Sequence, residues 1–275
     1  MVYSGCWTGI ALVAGGILVA VLLVAAARRL FSAADLQDGH ESTSTLLTIV
    51  GTLYAVLLGL VVVDAMARFD KACEDVQTES NCLADIFQLA NRIPDPYRQG
   101  IRGLCRTYAQ QVVELEWPAM ARAQMNLEAR MTALDLAKAL DGFEPTTEAE
   151  KIVYPAILEQ IRLMWDRRRD RAGAAEYGIP AVEWAVLIMG AVVTIFLGGL
   201  LHVDSRRLHL VATALTALVI GLNLYLVCLF GYPFAGELSV SDRPFRVDIG
   251  IFDGVYDRIP AHGGETRGPP SPAVP

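Results

Sequence analysis

The chain has 275 residues, of which 53% are hydrophobic and only 19% charged; charged residues make up nearer a quarter of a soluble domain. A net charge of −7 excludes the basic field that holds nucleic acid. The five cysteines form no CxxC pair and no metal-ligand spacing, so neither a disulfide framework nor a metal centre is expected.

The apolar residues fall in four blocks. The first, Trp7–Ala27, is closed by Arg28–Arg29. It reads as a retained spanning helix, because no Lys or Arg precedes it and arginines stand where a signal peptide needs small residues. A link, Arg28–Thr45, leads to Leu46–Val63, which Asp64 closes. Trp184–Leu201 and Leu208–Phe230 follow later, joined by the short link His202–Arg207. Each block runs for roughly 18–23 residues, enough at about 1.5 Å per residue to cross about 30 Å of hydrocarbon. The predicted fold is all-α, with four transmembrane helices in two hairpins and a helical soluble insert between the second and third. The boundaries are a first hairpin at 1–63, the insert at 64–180, a second hairpin at 181–230, a semi-ordered post-membrane segment at 231–259 and a disordered tail at 260–275.

The second span is the most informative. Thr45, Thr48 and Thr52 fall at i, i+3 and i+7, and Ala55 and Gly59 continue one face. Hydroxyls in hydrocarbon turn to a bundle interior or a water path. Gly51, Ala55 and Gly59 also make a ladder of small residues that lets helix backbones approach. Pore lining by Thr45, Thr48, Thr52 and Gly59 and helix packing by Gly51 and Ala55 both stay open. Asp64 either contributes to a carboxylate ring at a pore mouth or marks the headgroup boundary. Glu183, beside Trp184, has the same two readings. Asn223, midway along the fourth span, is expected to bond across to a neighbouring helix.

No proline interrupts Leu46–Arg92, so the second span continues into water as one helix, with Phe69, Cys73, Val76, Leu83, Ile86 and Ala90 at three-four spacing. At Pro94-Asp95-Pro96 the chain turns, with Asp95 as N-cap and Pro96 as first helical residue. The next stripe is Tyr97, Ile101, Leu104, Tyr108, Val112 and Leu115, and Pro118 ends or kinks that helix. A helix over Leu127–Leu140 is stopped by Gly142. Thr147 and Glu150 form a capping box for another carrying Val153, Ile157, Ile161 and Met164. The run Arg167–Arg171 either holds anionic headgroups or pairs with acids on neighbouring insert helices. Gly178-Ile179-Pro180 breaks the chain before the third span.

No HExxH, GxSxG, GxxxxGK[ST] or Rossmann glycine pattern is present, so no enzyme activity and no cofactor are expected. His40, His202, His209 and His262 do not group as metal ligands; His202 and Asp204 are close in sequence at a helix end, as in a solvated loop. Arg68, Lys71, Arg167, Arg168, Arg169, Arg171, Arg243 and Arg246 stand near membrane ends on one side. Arg28, Arg29, Arg206 and Arg207 stand in short loops on the other, so charge alone does not fix the orientation.

Four segments together resemble the bestrophin-like family of bacterial membrane proteins: Val50-Gly51-Thr52-Leu53-Tyr54-Ala55-Val56-Leu57-Leu58, Glu116-Trp117-Pro118-Ala119, Gly178-Ile179-Pro180 and Pro233-Phe234-Ala235-Gly236. The resemblance runs from the first span to about Phe245. Bestrophins proper are more distant, sharing four helices, a cytosolic helical insert and a Pro-Phe step past the last helix. There the step leads into an acidic calcium-binding run, which is absent here, so calcium binding is not carried over. The resemblance implies a bacterial inner-membrane protein with insert and termini in the cytoplasm, assembled as a ring around a pore lined by the second helix. The expected function is thus a homo-oligomeric ion channel or pore, with the lipid bilayer, further copies and inorganic ions as partners. The alternative is a non-conducting membrane scaffold or sensor acting through its insert.

Overall fold

In the computed structural model of the chain, residues 6–203 and 205–254 are described. Asp204 and the tail 260–275 lie outside the described residues. Ten α-helices make up the described chain: α1 (Cys6–Leu30), α2 (Ala33–Asp38), α3 (His40–Leu89), α4 (Tyr97–Gln111), α5 (Trp117–Met120), α6 (Leu127–Lys138), α7 (Glu148–Glu176), α8 (Ala181–Leu200), α9 (Arg206–Phe230) and α10 (Arg243–Phe252). No strand occurs among the described residues.

Four helical stretches are long and apolar enough to cross a bilayer: Gly9–Leu30, His40–Arg92, Ala181–Gly199 and Arg206–Phe230. The α3 helix has 50 residues, which at 1.5 Å each gives about 75 Å, far more than a bilayer needs. Its first half packs on α8 and α9, and α1 lies on the same two helices. Tyr54, Leu58, Leu187, Ala191, Ala217 and Ile220 form the small core between them. Large apolar side chains such as Leu18, Leu53, Leu60 and Val186 point outward, the reverse of a soluble protein and the arrangement that lipid favours.

The second half of α3 has α7 as its main partner, and α4, α6 and α10 complete a separate core. Val76, Leu83, Ile86 and Ala90 from the predicted stripe are fully enclosed, with Ile101, Ile157 and Met164 opposite them. Each of the larger of these side chains contributes about 1.5–3 kcal/mol by leaving water. The α7 helix opens with the Thr147–Glu150 capping box, and Gly142 adopts φ 79°, a left-handed turn suited to glycine.

Three local features differ from expectation. The α4 helix starts at Tyr97, with Pro96 in the cap position and no side-chain cap bond; the Asp95 carboxylate is drawn instead to Arg98. Helix α4 does not simply stop near Pro118. A π turn, Val112–Glu116, joins it to α5, and Pro118 sits in the first turn of α5, where its missing N–H costs little. The semi-ordered segment after the fourth span contains α10, which buries Phe245, Asp248 and Phe252; the Phe252 ring stacks on Phe87 at 4.2 Å.

Candidate functional site

Helix geometry divides the spanning half of α3 into two faces. Tyr54, Leu58 and Ala65 are buried and lie within a narrow arc. Thr45, Thr48, Thr52 and Gly59 share an arc of about 60° on the opposite side, at 3.6 residues per turn, and all four are exposed. Each threonine hydroxyl donates to the carbonyl four residues back: Thr45 to Glu41 at 3.0 Å, Thr48 to Ser44 at 2.9 Å and Thr52 to Thr48 at 2.7 Å. Their donors are thus satisfied within the helix, which leaves oxygen lone pairs and methyls on the open face. Gly51 and Ala55 flank this face, and a Cβ added at Gly51 or Gly59 would meet nothing within 4 Å. Among the described residues, nothing packs on the ladder at either glycine.

Asp64 does not share the threonine arc. It lies roughly 130° around the helix and forms an exposed i,i+4 ion pair with Arg68 at 2.7 Å. Glu183 is half-buried, and its neighbour Trp184 donates to the Tyr232 hydroxyl at 3.3 Å. Asn223 donates to the Val219 carbonyl at 2.9 Å, a bond within its own helix.

The strongest polar constellation is in the other core. Arg171, fully buried, holds Glu79 with two bonds, Nε to Oε2 at 2.6 Å and Nη2 to Oε1 at 2.9 Å. Its Nη2 also donates to Glu116 Oε2 at 2.8 Å. Arg168 donates to the other Glu116 oxygen, and the Tyr108 hydroxyl donates to Glu79. Two carboxylates and two guanidiniums therefore balance in a site closed to water. Burial opposes the charge of Arg171, but Glu79 and Glu116 outweigh it and hold the guanidinium well above the ordinary arginine range. Burial first, and then the Glu79 charge, push the Tyr108 phenol far up. Removing either partner of such a pair strands a buried charge, typically at a cost of about 3–5 kcal/mol. The cluster ties α3, α4, the π turn and α7 together and offers no accessible reactive group.

Two smaller contacts extend it. Asp75, also buried, takes Lys71 and Arg167 at 2.9 Å each. Ser80 donates to Asp248 of α10, whose carboxyl is pushed up to about 6 by burial. The arginine run thus meets insert acids: Arg167 with Asp75, Arg168 with Glu116, Arg171 with Glu79 and Glu116. Among the described residues no three of His, Cys, Asp and Glu gather where they could hold a metal ion.

The sequence reading missed Glu79, Tyr108 and Glu116 as a unit. One signal was present: Arg168 and Arg171 continue the spacing Val153, Ile157, Ile161, Met164, and Glu79 falls between Val76 and Leu83 on the α3 stripe. A charge at a core position of a stripe demands a buried partner. Glu116 was hidden by the π turn, which turns Leu115 outward and Glu116 inward.

The resembling segments converge on this architecture. The Trp117 ring meets Phe234 edge-on at 5.6 Å, and its Nε1 donates to the Val240 carbonyl at 3.2 Å. Gly178 lies so close to Tyr232 that a Cβ would be 2.2 Å from the ring.

No curated protein matches the chain. Among solved structures, a point variant of a bacterial bestrophin homologue from Klebsiella pneumoniae is similar over 92% of this chain and 100% of its own, with TM-score 0.68 and 12% identity. Another variant of that homologue gives TM-score 0.63 at 12% identity, over 88% of this chain and 99% of its own. A structure described as a membrane protein gives 0.64 at 12% identity, over 88% and 98%. These likenesses show the fold. The family model for the bestrophin-like domain matches residues 14–245, a span that takes in most of the first apolar helix, the other three and the buried ion cluster, and the chain therefore belongs to the bestrophin-like family of membrane proteins.

Proposed function

We propose that the chain is a homo-oligomeric ion channel or pore in which the first half of α3 lines the path. The observation that carries this reading is the open face of α3. Thr45, Thr48, Thr52 and Gly59 are exposed among the described residues, while the opposite side is packed on α8 and α9. A ring of copies gives that face an axis to look into, with small and hydroxyl side chains that leave room for a hydrated ion. Gly51 and Ala55 on its flank allow neighbouring copies to approach.

In this reading residues 1–63 and 181–230 form two hairpins in a bacterial inner membrane. The insert at 64–180 and both termini lie in the cytoplasm, and the carboxylate of Asp64 sits near the mouth. The partners are lipid, further copies and small inorganic ions.

The test is the mass of the complex in nanodiscs, followed by ion flux in liposomes. A closed ring is expected. Thr52→Phe, which puts a large ring on the open face, should cut flux by about tenfold or more. Asp64→Asn should stay within about twofold, because the carboxylate is off that arc and paired to Arg68. A monodisperse monomer, or full flux in a folded Thr52→Phe protein, would sink the pore reading in favour of a scaffold acting through the insert.

A further inference from the structure

A second polar feature lies inside a single copy, away from the open face of α3. Thr194 Oγ1 on α8 and His209 Nε2 on α9 are buried atoms with no hydrogen-bond partner. Both line one cavity of about 160 Å³, with Thr213 and Thr216 beside them and Leu47 and Val203 as apolar walls. His209 is only 4% exposed, and Thr194 and Thr213 are 9% exposed. Arg28, in the last turn of α1, is within electrostatic reach of His209, and its Nε is also buried without a partner.

Such groups do not stay unpaired without reason. A buried donor or acceptor left alone costs about 1–3 kcal/mol, and nearly all in folded proteins are satisfied by protein, water or an ion. An ionisable side chain at membrane depth faces a bundle interior or a water-filled space and marks a functional site by default. His209 lies in the first turn of α9, and Thr216 is seven residues further, about 10 Å along the helix axis. The cavity therefore runs inward from the end of the spans opposite the insert.

The lining selects the guest by charge. Among the described residues the cavity wall carries no carboxylate, and the guanidinium of Arg28 is a permanent charge in reach of His209. Among the described residues, a cation in the cavity would meet like charge with no carboxylate of the wall to compensate it. An anion would receive the Thr194 hydroxyl, the imidazole and the Arg28 field together. The cavity has room for a halide-sized ion together with several waters. We propose that the cavity between α8 and α9 binds one small monovalent anion through Thr194 and His209, with Arg28 supplying the charge. The site belongs to one subunit and is independent of whether the α3 face conducts.

Bromide is the probe, applied to the full-length protein. Crystals grown in sodium bromide should show an anomalous peak between Thr194 and His209. In detergent, bromide nuclear resonance should broaden on adding protein and sharpen again with excess chloride. Thr194→Val, which keeps the shape and removes the hydroxyl, should weaken bromide binding roughly tenfold, the loss of one hydrogen bond to a charged group. Arg28→Gln should weaken it at least as much. An empty anomalous map at the cavity, with ordered water alone in the density, would overturn the proposal. So would bromide broadening unchanged in both variants. If Thr194→Val fails to fold, the anomalous map of the unmodified protein decides by itself.

Discussion

Asp248 shows how a single buried acid makes the stability of this protein depend on pH. It sits on α10 against α3 and takes one hydrogen bond from Ser80. Burial outweighs that bond, and its carboxyl rises from an ordinary 3.8 to about 6. Protonated, the group folds without penalty; ionised, it gives up hydration that Ser80 only partly replaces. Its contribution is thus fully present below pH 4 and is lost as the pH rises through about 6. Asp248→Asn, which keeps the acceptor for Ser80 and cannot ionise, should melt a few degrees above the parent at pH 7.5 and level with it at pH 4. Thermal melts of the two proteins across that range check this; a gap that does not close on acidification would show that the charge of Asp248 is not what costs stability. Glu79 and Glu116 are buried more deeply still, with Arg168 and Arg171 paired to them in place.

At the scale of elements, approach distance between helices is set by where side chains are missing. Gly190 on α8 faces the ring of Tyr54 on α3, and a Cβ there would come within 2.4 Å of the ring. Tyr54 is 6% exposed and cannot swing clear, so Gly190→Ala should force α3 and α8 apart and cost about 1–3 kcal/mol. Gly198, two turns along the same helix, has nothing within 4 Å of an added Cβ. Gly198→Ala should be neutral or stabilise by up to about 1 kcal/mol through helix propensity alone. Melting both variants in the same detergent gives opposite signs if the packing is as described, and equal shifts would deny the Tyr54 contact. The spans themselves were legible from length and lack of charge, and so was the continuity of α3, since no proline interrupts it. The π turn was not. It inserts a residue into the three-four rhythm, so a pattern read straight through assigns Leu115 to the core and Glu116 to solvent, the reverse of what forms. Helix α10 was illegible for a related reason: its buried positions, Phe245, Asp248 and Phe252, include an acid, and a period broken by a charge over ten residues reads as loop.

For the whole molecule, α3 joins the two cores as one uninterrupted helix, and the segments at their junction close around it. Ile179 packs against Gly231, Gly178 against Tyr232, and Trp117 against Phe234. Ile179, Gly178, Trp117 and Phe234 come from three of the four stretches that carry the family resemblance, and Gly231 and Tyr232 directly precede one of them, which explains why short motifs far apart in sequence occur together: they meet at one joint. The fourth stretch, Val50–Leu58, is different. One side of it packs on α8 and α9, and among the described residues the other is left exposed. Thr52 on α3 and Leu18 on α1 are both exposed in the single chain, and an apolar environment alone would treat them alike. A ring does not, because it turns Thr52 toward an axis shared by all copies and leaves Leu18 to lipid. In a background with the native cysteines replaced by serine, Thr52→Cys should form covalent dimers on mild oxidation in the membrane. Leu18→Cys should remain monomeric on a denaturing gel under the same treatment. Cross-linking of both variants to the same extent would mean random collision, and cross-linking of Leu18→Cys alone would place α1, and not α3, at the contact between copies.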